Sequence, residues 1–264
     1  MMDNFVLQKE DISHIEAEAL DENGFLKVMP ISFWKQFSKN QLALFGHKNA
    51  LYSYPTTEII EKLKEEIGDA EVLEIASGDG VYGRALGIRS ADNHQQERQD
   101  VKLHYKMLGQ PTITYGKNVE RLDGMEAVEK YKPSVVIASW NTHKYREGYS
   151  EVGNIHGVDE FEMLMKVDKY IMIGNEFTHR QKEIAALPMT VIRSEGLFSR
   201  SVKPEDNCIF IWDNDCVNDD NHEKYLEVVK QIMKEDPEIN SARGRTLEYL
   251  SFVVERYEKK RFKI

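Results

Sequence analysis

A carboxylate on an apolar stretch, followed four residues later by a glycine-rich turn, is the most chemically loaded feature of this sequence. It reads Val72-Leu73-Glu74-Ile75-Ala76-Ser77-Gly78-Asp79-Gly80. Glycines let a backbone turn sharply and let a ligand approach with no Cβ in the way. A helix opening after such a turn offers free N–H groups to a carboxylate or phosphate. Glu74, Ala76, Ser77, Gly78, Asp79 and Gly80 are therefore candidate ligand positions. Further groups stand out by type. His143 is an imidazole, a side-chain type suited to general acid–base chemistry, and Glu176 is a carboxylate able to orient an amine or a water. With Asn141, Tyr145, Asn175 and His179, they follow the apolar runs Ser134–Ser139 and Tyr170–Ile173.

The elements that must position these groups alternate. Short apolar strands are predicted over 71–76, 87–91, 112–115, 134–139 and 170–173, then over 190–193 and 208–212. Helices are predicted over 31–50, from the Thr-capped start at Pro55-Thr56-Thr57-Glu58, over 158–167, and near 222–235 and 246–259. Alternation of this kind implies an α/β fold: a Rossmann-like three-layer sandwich around a mostly parallel, seven-stranded sheet. The last two strands lack a helix-length gap, which predicts an antiparallel pair at one edge. Residues 1–54 are expected to form a helical cap or lid, and 55–264 the main domain.

The stretch Glu74-Ile75-Ala76-Ser77-Gly78-Asp79-Gly80 resembles the first motif of the class I S-adenosylmethionine-dependent methyltransferases, with Ala76 at the first small position. The resemblance covers roughly residues 55–212. It implies S-adenosylmethionine as cofactor, with Asp92, and Asn93 beside it, at the ribose hydroxyls; a carboxylate accepts two O–H donors at once. It places Asn118 and Val119 near adenine, and Ser139 and Trp140 at the strand leading into the active site. A carboxylate at Glu74 suits the cofactor's amino group. The sequence departs from relatives that methylate base or amide nitrogens through Asn/Asp-Pro-Pro-Tyr, since it carries Ser139-Trp140-Asn141-Thr142 there. The helix after Gly80 is short, leaving the second-strand register open. Gly78-Asp79-Gly80-Val81-Tyr82-Gly83 also matches the nicotinamide or flavin dinucleotide fingerprint. That fingerprint expects an acidic residue ~20 positions on, whereas Asp92 comes 14 after Gly78 and 9 after Gly83.

Methyl transfer is an in-line displacement, so positioning supplies much of its acceleration. A general base is needed only where the nucleophile must lose a proton. Ligands of open α/β sheets sit at the carboxyl ends of the strands, which makes His143 the first candidate base, with Glu176 and Asn141 as further catalytic candidates. Trp140 could stack on adenine or wall the pocket, and Tyr52 and Tyr54 could cover the methionine end. A non-catalytic protein that keeps the fold for binding is the alternative.

Composition narrows the partners. The net charge of −10, from 35 basic and 45 acidic residues, argues against indiscriminate nucleic-acid binding. The acidic run 213–223 adds to that, while the basic tail 243–264 could counter it. A small-molecule or protein acceptor is expected. Two cysteines, Cys208 and Cys216, form no metal-ligand cluster and point to a reducing cytosol. No stretch approaches the ~20 apolar residues of a membrane span.

Overall fold

The computed structural model describes residues 7–145, 149–150, 153–154, 156–179, 182–187 and 189–214. The helices expected near 222–235 and 246–259, Cys216, the basic tail and most of the acidic run lie outside them.

Seven strands form one sheet: β1 (Val72–Ile75), β2 (Arg89–Asp92), β3 (Val119–Arg121), β4 (Val135–Ser139), β5 (Lys169–Asn175), β6 (Thr190–Ile192) and β7 (Asn207–Asp213). Their spatial order is β3-β2-β1-β4-β5-β7-β6. The first five run parallel. β7 enters antiparallel between β5 and β6, so the expected antiparallel edge pair is present. The architecture is the Rossmann-like sandwich that the resemblance implied.

Strand side chains alternate between two cores, as the period of two requires. Val135 and Ile137, Ile171 and Ile173, and Ile209 and Ile211 face one core; Val136 and Ala138, Tyr170 and Met172, and Phe210 and Trp212 face the other. Helices α1 (Ser13–Ala19), α2 (Ile31–Trp34), α3 (Lys39–Lys48), α4 (Thr57–Ile67) and α5 (Val81–Leu86) cover the first core. Helices α7 (Gly124–Tyr131) and α8 (Glu160–Leu164) cover the second. Between them in sequence, α6 (Gln99–Met107) buries none of its residues.

Three expectations are corrected. The third strand is not 112–115 but Val119–Arg121. Thr112–Tyr115 has the β-prone side chains, yet its backbone joins no ladder; the Ile113 N–H donates instead to the Gln96 side chain at 2.9 Å. The true strand is a short, charged sheet edge, a composition that blunts edge-to-edge pairing. The single helix over 31–50 is broken into α2 and α3, because Ser38 and Gln41 close a capping box that starts a new helix. The second strand begins at Arg89 rather than Gly87, since Gly87, at φ +69°, caps α5, and it ends on Asp92, which pairs with Arg121.

Candidate functional site

The strand order reverses between β1 and β4, which are adjacent and parallel. Chains leaving the two strands diverge there and open a crevice at their carboxyl ends, where ligands of open α/β sheets bind. A cleft of about 370 Å³ lies at this point, large enough for a small-molecule ligand. The turn after β1 forms its floor, the chain after β4 one wall and residues 111–115 another. Residues 24–25 and 48–53 roof it.

The turn is built by backbone conformations that favour glycine. Gly78 and Gly80 hold φ of +55° and +71°. Ala76, where the family motif has a small residue, holds φ +47°, a region costing an L-residue about 1–2 kcal/mol. The Ser77 N–H and hydroxyl both donate to the Ala91 carbonyl, at 3.3 and 3.1 Å, tying the turn to β2. Gly83 is required for a different reason: a Cβ there would stand 1.8 Å from Ser90 Oγ and 2.8 Å from Glu74 Oε2.

Asp92 faces the cleft beneath this turn. Its Oδ2 accepts from the Gly78 N–H and its Oδ1 from the His94 N–H, both at 3.0 Å. Burial holds the carboxyl above its ordinary range, against the lowering effect of those two bonds. The Tyr115 hydroxyl also bonds the carboxyl, whose two oxygens together can accept about four donors. Asp79 also lines the cleft and is likewise raised by burial, with the Arg84 guanidinium 3.4 Å away acting in the opposite direction. Tyr52, Tyr105, Tyr115 and Trp140 add aromatic surface, and the His94 ring stacks on Tyr115 at 3.9 Å. Also in the lining, Ser53 Oγ lies 2.8 Å from Ser139 Oγ and 3.3 Å from the Tyr82 hydroxyl, whose pKa burial pushes up to about 12.

The structure divides the residues singled out by sequence. Ala76, Ser77, Gly78, Asp79, Asp92, Ser139, Trp140, Asn141 and His143 all line the cleft. Glu74, Gly80, Asn93, Asn118, Val119 and Glu176 do not. Glu74 points to the opposite side of the turn, fully buried. It accepts from the Gly83 N–H at 2.9 Å and the Ser90 hydroxyl at 2.7 Å, and burial raises its carboxyl to about 8. Gly80 opens α5, and the Asn118 amide donates to its carbonyl at 3.0 Å from behind. Val119 belongs to β3, because the third strand falls later than expected. Asn93 closes a local turn by accepting from the Gln95 N–H at 3.0 Å. Glu176 pairs with Arg193 on the surface.

Asn141 lines the cleft but directs its amide to Glu160 Oε1, 3.0 Å away in the core. His143 is exposed at the rim. Trp140 holds φ +54°, unusual for a bulky residue, and packs edge-on against His179 at 5.4 Å. The His179 imidazole is buried, which pushes its pKa down to about 4. Tyr54 is buried between Trp34 and Phe45, away from the cleft. Sequence reasoning missed Ser53, Tyr82, Gln96, Tyr105 and Tyr115, whose polar groups meet only through the fold. Among the described residues no cluster of side chains could hold a metal ion, and no helix is long and apolar enough to cross a membrane.

Several solved structures are similar at a distance. SMU.776, a putative methyltransferase complexed with SAH, is 9% identical with a TM-score of 0.32, over 58% of this chain and 48% of that one. The 23S rRNA methyltransferase ErmE is 13% identical with a TM-score of 0.31, over 59% and 66%. A SAM-dependent methyltransferase from Agrobacterium tumefaciens is 12% identical with a TM-score of 0.29, over 60% and 61%. The chain spans about half the length of the first of these. No protein-family model and no curated protein matches the chain. At such TM-scores the likenesses bear on neither activity nor substrate, and the fold stands on its strand order.

Proposed function

We propose that the cleft binds S-adenosylmethionine and that the protein transfers its methyl group to a small-molecule or protein acceptor. The observation that carries this reading is Asp92: a carboxylate at the carboxyl end of β2, lining the switch-point cleft beside the Gly78 turn. A diol ligand offers two O–H donors side by side, and Asp92 has two oxygens to receive them.

The surroundings favour a cationic cofactor over a dinucleotide. Asp79 and Asp92 both face the ligand space, and two carboxylates would repel a pyrophosphate. Helix α5 has only six residues, with Asp79 against its first turn, so it is poorly made for an anion. Asp79, rather than Glu74, stands where the cofactor's amino group would lie, since Glu74 bonds the Gly83 N–H and the Ser90 hydroxyl behind the turn. Six aromatic residues in the lining, Phe25, Tyr52, Tyr82, Tyr105, Tyr115 and Trp140, suit an adenine and a sulfonium together.

In this reading Asp92 holds the ribose, residues Ala76 to Asp79 the methionine portion, and residues 48–53 and 139–143 the acceptor. The cofactor supplies a methyl group on a positively charged sulfur that departs as a neutral thioether. The protein's task is then to align the acceptor and exclude water. His143, at the rim, is the side chain placed to take a proton from an acceptor that must lose one. Residues 7–54 serve as a cap over the cleft.

Calorimetric titration tests the cofactor. S-adenosylmethionine and S-adenosylhomocysteine should bind the wild type, and Asp92→Ala should weaken both by tenfold or more, about 1.4 kcal/mol. Absence of binding by either, with tight binding of NADH, would overturn the reading. The acceptor class rests on the net charge of −10. Neither DNA nor RNA should shift in a low-salt gel titration. Micromolar retention that fades steeply with salt, and vanishes when Lys259, Lys260 and Arg261 are neutralised, would point to a nucleic-acid acceptor instead.

A further inference from the structure

Behind the chain that leaves β4 lies a charged pair that the cofactor reading does not use. Lys182 and Glu160 form an ion pair of 2.9 Å, with side chains 3% and 6% exposed. Isolated buried charges are costly, so such a pair persists only where both members find full sets of partners. Here those partners belong to the cleft wall. Lys182 Nζ donates to the Asn141 carbonyl at 2.7 Å and lies 3.4 Å from the His143 carbonyl. Glu160 Oε1 accepts from the Asn141 amide at 3.0 Å and from the Tyr170 hydroxyl at 2.7 Å. Asn141 is thus gripped twice, through its backbone by the ammonium and through its side chain by the carboxylate. The residue before it, Trp140, holds a backbone conformation that a bulky side chain rarely adopts. A strained residue persists only where its surroundings over-determine it.

We infer that Lys182 and Glu160 are positioning residues: together they fix residues 140–143 as the wall of the cleft. Neither lines the cleft itself. Their effect passes through Asn141, whose carbonyl and side-chain amide they hold between Trp140 and the rim residue His143. A small cavity of about 20 Å³ beside Lys182 and Glu160 is bounded by Lys144, Tyr145, Asp159 and Phe161. The pair therefore sits where the wall returns to the body of the protein. Its relevance to ligand binding rests on the reading above; its effect on the wall does not.

Removing Lys182 alone would strand a buried carboxylate and could unfold the protein. The test uses the full chain with the double substitution Lys182→Met and Glu160→Gln, which removes both charges of the pair together with the ammonium's grip on the Asn141 carbonyl. Three quantities are measured: the thermal transition, hydrogen exchange of the Trp140 amide, and the affinity for S-adenosylhomocysteine. The Trp140 N–H donates to the Ile173 carbonyl at 2.8 Å, so its exchange reports directly on how firmly the wall is held. The expected result is a cooperative transition, exchange at Trp140 faster by about tenfold or more with β1 amides unchanged, and ligand affinity lowered about fivefold. Trp140 exchange and affinity both within about twofold of wild type would overturn the inference. So would faster exchange with undiminished affinity, because the wall would then not shape the site. A wild type that binds no S-adenosylhomocysteine would sink the cofactor reading. The exchange of Trp140, alone, would then decide whether the pair holds the wall.

Discussion

Glu74 and Asp92 are carboxylates on neighbouring parallel strands, yet they do opposite things. Asp92 ends β2 and looks into the cleft. Glu74 sits one residue inside the end of β1 and bonds the Gly83 N–H and the Ser90 hydroxyl behind the turn. The sequence marked both residues but could not separate them. Both faces of a central parallel strand are buried, so side-chain parity alone does not say which face meets a ligand. Asp92 was legible because a strand end lies at the crevice whichever face is considered. The pH dependence of stability distinguishes Glu74 from a ligand group. Its carboxyl is raised by burial from 4.5 to about 8. The folded protein therefore binds a proton that the unfolded chain releases above its lower pKa, and stability from this group falls as pH rises between the two values. Glu74→Gln keeps the acceptor for Gly83 and Ser90 but cannot ionise. Urea unfolding at pH 6 and pH 9 should show the wild type losing more stability than this variant, by about 2 kcal/mol. Equal losses in the two proteins would mean that Glu74 is already ionised when folded.

The elements were read most faithfully where burial is two-sided. β1, β4, β5 and β7 stand out as apolar runs because helices cover both of their faces. β3 was misplaced because an edge strand needs little hydrophobicity, and Val119-Glu120-Arg121 has little. Thr112–Tyr115, richer in β-branched residues, became a cleft wall whose backbone is held by a glutamine side chain. The helix start at Thr56 was legible because capping is local chemistry. The Thr56 Oγ1 accepts from the Ile59 N–H at 3.2 Å. What could not be read is its second bond, donated at 3.1 Å to the Gly196 carbonyl, 140 residues away. That bond makes Thr56 more than a cap, since the side chain is fully buried and ties α4 to the loop after β6. Thr56→Ala should cost about 2 kcal/mol or more, the usual loss of a cap plus an orphaned buried carbonyl. Thr56→Ser should recover most of it. Denaturant unfolding of both variants decides: an alanine variant within about 0.5 kcal/mol of wild type would show that neither bond contributes.

At the scale of the molecule, the division expected at residue 54 meets a core that crosses it. Ile15, Phe33, Trp34, Phe45 and Tyr54 pack in one cluster with Ile59, Tyr82, Ile137 and Ile171, residues of the helices and sheet that follow. Trp34 stacks on Tyr54 at 4.9 Å, and Ser53 pairs with Ser199 across a two-residue antiparallel bridge. Sequence could mark these residues as apolar but could not say whether they closed a core of their own. That depends on contacts with strands more than 80 residues away. The same segment roofs the cleft through Phe25, Lys48, Tyr52 and Ser53. Cap and fold are therefore coupled, and a chain reduced to residues 55–264 should lose both. Burial of these large side chains, at about 1.5–3 kcal/mol each, is as large as the roughly 5–15 kcal/mol by which a domain is ordinarily stable. The shortened chain should bind a hydrophobic dye such as ANS, show no cooperative thermal transition, and fail to bind S-adenosylhomocysteine. A cooperative transition within about 5 °C of the full chain would show instead that the sheet closes its core without residues 1–54. The segment would then be a detachable lid. In that case ligand affinity separates the two duties, because a lid that only roofs the cleft would weaken binding while leaving the fold intact.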